Sequence, residues 1–326
     1  KLGRNYPHGE AFARVLGYTG MLSEQDMGQI DIAKYRGTYF IGKSGIEKSY
    51  ESLLHGKAGY EQVETDARGR MIRQLEEIPS VPGDNLYLSL DSKLQLLAYD
   101  LLQNQKGAVV ALDVKTGGVL AMVSRPSFDP NLFVKGIPQE TYDKLQHAKE
   151  QPLFHRAIRG QYPPGSTVKP LVALQALDHK VITPQTTFND PGYYQLTANG
   201  RLYRDWLPEG HGIISLENAI AESCTTFFYF VADKLGIDRM HNIFSRFGLG
   251  ELTNIDIHGE AKGIAPSKEW KKQTKRQAWF QGETIITGIG QGYTLVTPLQ
   301  MASVASAIAN RGTRVQPMLV KATQTH

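Results

Sequence analysis

The chain has 326 residues, 41% of them apolar and 21% charged, with a formal net charge of +4. That length accommodates two domains with real cores, and the balance excludes a disordered, collagenous or strongly acidic or basic protein. No window approaches the ~18 apolar residues of a membrane span, no signal peptide is visible, and a single cysteine, Cys224, rules out an intrachain disulfide.

Residues 1–84 are polar, glycine-rich and mixed in pattern, and read as one domain. The opening Lys1-Leu2-Gly3-Arg4-Asn5-Tyr6-Pro7 does not look like a natural start, and His326 does not close a fold. The chain therefore reads as a soluble excerpt of a longer protein. A helix is expected from Gly42-Lys43-Ser44-Gly45 to His55-Gly56, short strands around Arg68-Gly69-Arg70, and a hinge at Pro79-Ser80-Val81-Pro82-Gly83-Asp84. Beyond it, Asn85-Leu86-Tyr87-Leu88-Ser89-Leu90 alternates as a strand, and Asp91 caps a helix reaching about Asn104. Segments 107–113 and 118–124 flank a Lys115-Thr116-Gly117 turn as a hairpin. From Ser166 onward the pattern predicts helices over 166–179, 215–222, 226–235, 238–247 and 298–310. Thr297, Pro298 and Gln300 supply a full start signal for the last. Helices gathered after an antiparallel hairpin predict an α+β domain over 85–326.

The basic stretch Lys268-Glu269-Trp270-Lys271-Lys272-Gln273-Thr274-Lys275-Arg276 reads as a solvated loop or helix face, and no nucleic-acid partner is expected. Trp206, Trp270 and Trp279 read as packing residues.

The chemistry concentrates in Ser166-Thr167-Val168-Lys169, preceded by Tyr162-Pro163-Pro164-Gly165 and followed by an apolar run. Residues three apart on a helix share a face, so the Ser166 hydroxyl and the Lys169 ammonium would meet. A serine needs a neighbour to take its proton, and a lysine can do so only when desolvation or a nearby cation lowers its pKa. A buried helix start would supply the desolvation, and its N–H groups would face a developing oxyanion. The plain alternative is a serine at a helix start with a solvated lysine one turn on.

Asp190, Asp205, His211 and Cys224 gather a second set of donors. Carboxylate, imidazole and thiolate can close a four-ligand structural zinc site. The alternative leaves Cys224 as a small buried filler, the aspartates as turn or cap residues, and His211 as a satisfied loop histidine.

The segment Tyr162 to Pro170, the hairpin with its Phe128-Asp129-Pro130-Asn131 exit, and Gly290-Gln291-Gly292-Tyr293 followed by Thr297-Pro298-Leu299-Gln300 resemble the transpeptidase domain of class B penicillin-binding proteins. Tyr6-Pro7-His8-Gly9, Gly45-Ile46-Glu47 and Arg68-Gly69-Arg70 resemble that family's N-terminal pedestal. Asp190-Pro191-Gly192-Tyr193-Tyr194, Tyr203-Arg204-Asp205-Trp206 and Gly210-His211-Gly212 resemble its elongation branch, penicillin-binding protein 2. The resemblance implies a penicillin-binding-protein and serine-β-lactamase-like domain over 85–326, on a pedestal or dimerisation-like domain over 1–84.

It further implies a serine D,D-transpeptidase that crosslinks peptidoglycan stem peptides, is blocked by β-lactams, and needs no cofactor for its chemistry. Ser166 would be the nucleophile, Lys169 its base, and Ser223 a proton relay to the leaving amine, with Thr225, Gln291 and Gly292 binding substrate. Thr225 departs from the family's amide or carboxylate at that place in the second motif. The family's third motif, Lys-(Ser/Thr)-Gly, would follow 297–312 and is not in the sequence; Lys115-Thr116-Gly117 is a turn that precedes the nucleophile. Some members of the branch are thought to hold a structural zinc at the second donor set. The resemblance places the protein on the periplasmic face of the inner membrane, anchored by a span outside this chain, beside a glycan polymerase and the rod-shape scaffold. Rival readings are a β-lactamase-like hydrolase or carboxypeptidase, and a catalytically weak scaffold or β-lactam-sensing receptor.

Overall fold

The computed structural model describes residues 3–28, 30–35, 39–134 and 136–325. Backbone contacts divide it into two compact units, one of 1–157, 254–260 and 316–326, the other of 158–253 and 261–315. No helix among the described residues is long and apolar enough to cross a membrane.

The first unit is built from paired strands. Thr19–Met21 pairs antiparallel with Phe40–Gly42, and Tyr60–Thr65 with Met71–Ile78 around the Arg68-Gly69-Arg70 turn. The helix expected to reach His55-Gly56 is broken at Tyr50 into Gly45–Ser49 and Glu51–Leu54. The expected hinge is pinned, because Lys57 and Val81 exchange both backbone hydrogen bonds and Asp84 N–H donates to the Leu53 carbonyl. A Cβ on Gly83 would stand 2.1 Å from the Leu54 carbonyl oxygen, so only glycine lets these backbones approach.

Asn85–Leu88 forms a strand and pairs with Val320–Gln324. Asp91 caps the helix Ser92–Leu102, accepting from the Lys93 and Leu94 N–H groups. From that helix the buried Gln95 amide donates to the Met122 carbonyl and accepts its N–H, as an adjoining strand would. Met122 belongs to the hairpin of Gly107–Leu112 and Val119–Arg125. In its turn Asp113 Oδ1 accepts from the Lys115 and Thr116 N–H groups and the Thr116 hydroxyl, and Gly117 sits at φ +78°. Lys115-Thr116-Gly117 is therefore a side-chain-closed turn.

The second unit is mostly helical, with the strand pair Thr187–Asp190 and Gly212–Ser215 and the short hairpin of Tyr193–Gln195 with Leu202–Arg204. Its core joins Leu171, Val172 and Ala176 of the helix Lys169–Asp178 to Phe227, Phe228 and Val231 of Thr225–Leu235, and to Met240, Ile243 and Phe244 of Ile237–Arg246. Lys169–Asp178 buries Leu171, Val172, Ala173 and Ala176, while Leu174 stays exposed. Pro298–Ala309 starts as expected, with Thr297 and Gln300 forming a capping box and Pro298 in the first turn.

Two sequence expectations change here. The α-helix expected from residue 166 begins only at Lys169, after a 3-10 turn over Gly165–Val168. Pro170 has no N–H to offer the Ser166 carbonyl, so the Lys169 N–H takes it through an i→i−3 bond. The basic stretch forms the helix Lys268–Lys275, in which Lys271 is fully buried rather than solvated.

Candidate active site

The 3-10 turn has a chemical consequence, since side chains three apart eclipse one another in it. Ser166 is exposed at the surface of the turn, whereas Lys169 is 2% exposed beneath it. No direct hydrogen bond joins the two among the described residues; Ser223 stands between them. Lys169 Nζ donates to the Ser223 carbonyl at 2.7 Å and approaches its Oγ at 3.1 Å, and Ser223 Oγ lies 2.9 Å from Ser166 Oγ. The three polar groups form a row from buried amine to exposed hydroxyl. Burial pushes the Lys169 ammonium down to about 8, with Asp205 and Cys224 acting against the shift. The Phe228 ring centre lies 5.3 Å from Nζ, giving the cation an apolar wall.

Ser223 reaches this place through an unusual backbone. It links the helices Leu216–Ala221 and Thr225–Leu235 at φ +54°, in the left-handed region that an L side chain seldom adopts. The turn is closed by the Cys224 N–H donating to the Ala219 carbonyl at 2.9 Å. Beyond it, Asp205 Oδ2 accepts from the Thr225 N–H at 2.7 Å, the Thr226 N–H at 2.8 Å and the Thr226 hydroxyl at 3.1 Å. A carboxylate from another loop thus satisfies the orphan donors at this helix start.

Asp205 also belongs to the second donor set. Asp190 ends the strand Thr187–Asp190, His211 directly precedes Gly212–Ser215, and the antiparallel register sets Gly212 opposite Asp190. The ligand atoms of Asp190, Asp205, His211 and Cys224 all lie within 4.8 Å of one another. His211 Nδ1 stands 2.7 Å from Asp190 Oδ2, and Cys224 Sγ stands 3.5 Å from Asp190 Oδ2 and 3.6 Å from Asp205 Oδ2. Gly210 makes the approach possible: at φ +76°, a Cβ there would stand 2.2 Å from the Asp190 carbonyl oxygen. Against the upward push of burial, hydrogen bonds from Thr226, His211 and Gly192 hold the Asp190 carboxyl at about 2. Burial pushes the Cys224 thiol up to about 12. His211 Nε2 is buried with no hydrogen-bond partner among the described residues.

Of the residues assigned to substrate, Thr225 offers its N–H to Asp205, and its side chain does not join the row. Gln291 and Gly292 are exposed in the loop after Gln281–Thr287. That loop meets the turn that carries Ser166, because the Gly165 N–H donates to the Gly290 carbonyl at 2.9 Å. Sequence reasoning offered Asp205 as a turn or cap residue and Ser223 as a relay, but not that Asp205 caps Thr225–Leu235 or that Ser223 stands between Ser166 and Lys169. Nothing local announces either, since the partners lie 20 to 57 positions away along the chain.

Residues 107–326 match the penicillin binding protein transpeptidase domain, and residues 1–88 the penicillin-binding protein dimerisation domain. The crystal structure of Pseudomonas aeruginosa PBP2 in complex with WCK 5153 superposes with a TM-score of 0.91 at 47% identity, covering 100% of this chain and 68% of that one. The chain belongs to the penicillin-binding proteins, in the penicillin-binding protein 2 branch. It is also 45% identical over 323 residues to the peptidoglycan D,D-transpeptidase MrdA of Acinetobacter baumannii, covering 99% of this chain and 48% of that protein. The complex between PBP2 and MreC from Helicobacter pylori gives a TM-score of 0.90 at 35% identity, covering 99% of this chain and 60% of that one. The chain spans about half the length of the curated relatives it matches.

Asp205 supports the Ser223 turn by capping the helix that follows it. Asp205→Ala leaves the Thr225 and Thr226 N–H groups without their carboxylate, and is expected to cost about 2–3 kcal/mol. Urea denaturation checks this; a loss under about 0.5 kcal/mol would show that the cap contributes nothing.

Proposed function

We propose that the protein is a serine D,D-transpeptidase of peptidoglycan, acting in cell elongation and inactivated by β-lactams. The single observation that carries this is the row Lys169–Ser223–Ser166, a desolvated amine joined to an accessible hydroxyl through a second hydroxyl. The peptidoglycan D,D-transpeptidase relative supports the reaction class.

In this reading Ser166 Oγ attacks the carbonyl between the two terminal D-alanines of a stem peptide. Its proton passes to Ser223 Oγ, whose own proton goes to the neutral Lys169 amine. The hydroxyl protons rotate, so the row runs in either direction. The Ser166 N–H faces the developing oxyanion. The C–N bond breaks, the departing D-alanine amine takes a proton back through Ser223, and an acyl-serine ester remains. An amine from a neighbouring strand attacks that ester and restores the Ser166 hydroxyl, leaving a crosslink. Thr225, Gln291 and Gly292 border the substrate, Thr225 with a shorter polar reach than an asparagine. A β-lactam takes the place of the D-alanine pair and stays on Ser166.

Residues 1–84 serve as pedestal and 85–326 as transpeptidase domain, on the periplasmic side of the inner membrane with an anchor outside this chain. A glycan polymerase and the rod-shape scaffold are the proposed partners, and the Helicobacter pylori PBP2 solved with MreC supports a protein partner of this kind.

Asp190, Asp205, His211 and Cys224 fit a structural zinc: the donors are buried, they converge within 4.8 Å, and one imidazole nitrogen lacks a partner. When bound, zinc would supply cross-linking only, tying the strand pair to Cys224 and so to the Ser223 turn. Elemental analysis of the full-length protein is expected to find about one zinc per chain, with the melting temperature falling on chelation. Metal-free protein whose melting point ignores chelator would discard the site.

Ser166→Ala is expected to abolish labelling by a fluorescent penicillin in the full-length protein, and labelling that persists would overturn the assignment. The base must be neutral to act, and only about a tenth of a lysine with a pKa of about 8 is neutral at pH 7. The acylation rate constant should therefore rise with pH, nearly tenfold per unit below 8, and level off above it. A profile flat from pH 6 to 9 would remove Lys169 from the role of base.

A further inference from the structure

Lys271 holds a second buried charge, away from the row. Its Nζ donates to Glu283 Oε1 at 2.6 Å and lies 4.3 Å from the centre of the Phe280 ring and 5.8 Å from that of Tyr293. A fully buried ammonium persists only where its partners are held in place, because breaking the pair strands the other charge. Glu283 is held from several sides: Oε1 also accepts from the Tyr293 hydroxyl at 3.2 Å, and Oε2 accepts from the Phe280 N–H at 2.8 Å. Trp270 and Trp279 pack on the Tyr293 ring, their centres 5.2 Å and 6.3 Å away.

Between Glu283 and Tyr293 runs the end of the helix Gln281–Thr287 and then a loop with glycine at 288, 290 and 292. Gly290 and Gly292 sit at φ +70° and +73°. The Gly290 and Gln291 N–H groups donate to the Thr287 and Ile286 carbonyls, which ties the loop to the helix that carries Glu283, and Tyr293 ties its far side to the same carboxylate. Its middle carries the nucleophile's turn. The Gly290 carbonyl accepts the Gly165 N–H, and a Cβ on Gly290 would stand 2.2 Å from the Gly165 carbonyl oxygen.

We propose that Lys271 is a positioning residue for the nucleophile: its pairing with Glu283 clamps Tyr293, holds the Gly290 loop against Gly165, and so sets where the Ser166 hydroxyl stands. The proposal rests on the acyl-serine reading above.

The test compares Lys271→Met, Tyr293→Phe and the double variant in the full-length protein. Stopped-flow acylation by a fluorescent penicillin separates the non-covalent dissociation constant from the acylation rate constant, and circular dichroism monitors the fold. Lys271→Met is expected to lower the acylation rate constant about tenfold. The dissociation constant should move less than about threefold, and the pH midpoint should not shift, since Lys169 is untouched. Tyr293→Phe should give a smaller loss, and the double variant should be no slower than Lys271→Met, because both act through one carboxylate. A folded Lys271→Met that acylates at the unaltered rate constant overturns the proposal, as do losses that multiply in the double variant. Should Lys271→Met fail to fold, Tyr293→Phe decides alone, and an unchanged rate constant there is equally fatal. Unsubstituted protein that is not acylated at Ser166 instead removes the acyl-serine reading, a distinct result.

Discussion

Burying the Lys169 ammonium is the constraint from which the site's geometry follows. A cation taken out of water without partners costs several kcal/mol, so the fold must bring oxygen atoms to it. The Ser223 carbonyl and hydroxyl are the oxygens supplied. Bringing both to one nitrogen requires the chain to reverse between two helices with Ser223 in the left-handed region. That strain is tolerable because the turn is bound on both sides, by the Cys224 N–H to Ala219 and by the Asp205 carboxylate over the next helix start. Chemistry and scaffold therefore share one short segment, in which Ser223 faces the amine and Cys224 faces the second donor set.

Close backbone approach is the other recurring device. Gly290 against the Gly165 backbone, and Gly192 and Gly210 against the loop around Asp190 and Pro208, bring segments nearer than a Cβ on them would allow. The first joins the Ser166 turn to the loop after Gln281–Thr287. The second closes the strand pair that carries Asp190 and His211. Glycine permits these approaches but does not enforce them, so polar side chains with several partners take over that task. Asp205 accepts from two residues of one helix start and from the Leu207 N–H of its own loop, and Glu283 accepts from Lys271, Phe280 and Tyr293.

Features governed by neighbouring residues were legible in the sequence. Asp91 as a cap, the Thr297-Pro298-Gln300 start and the Lys115-Thr116-Gly117 turn are closed by atoms within a few positions of one another. The pairing of Ser166 with Lys169 was half legible. Their spacing put them on one side of a turn, but Pro170 made that turn 3-10, and the link between them comes from Ser223. The basic stretch misled because Lys271 has the same letters around it as its solvated neighbours. Only the arrival of Phe280, Glu283 and Tyr293 distinguishes it.

The sequence by itself determined the order of motifs, the caps, the α+β class and the family resemblance, because these depend on residue type and short spacing. The tertiary structure alone decided which oxygen answers the Lys169 ammonium, that four donors separated by up to 34 positions meet, and that Lys271 is buried. The physical reason is the same in each case. Desolvation and charge pairing depend on what surrounds a group in space, and chain spacing carries no record of distances between segments that meet only after folding.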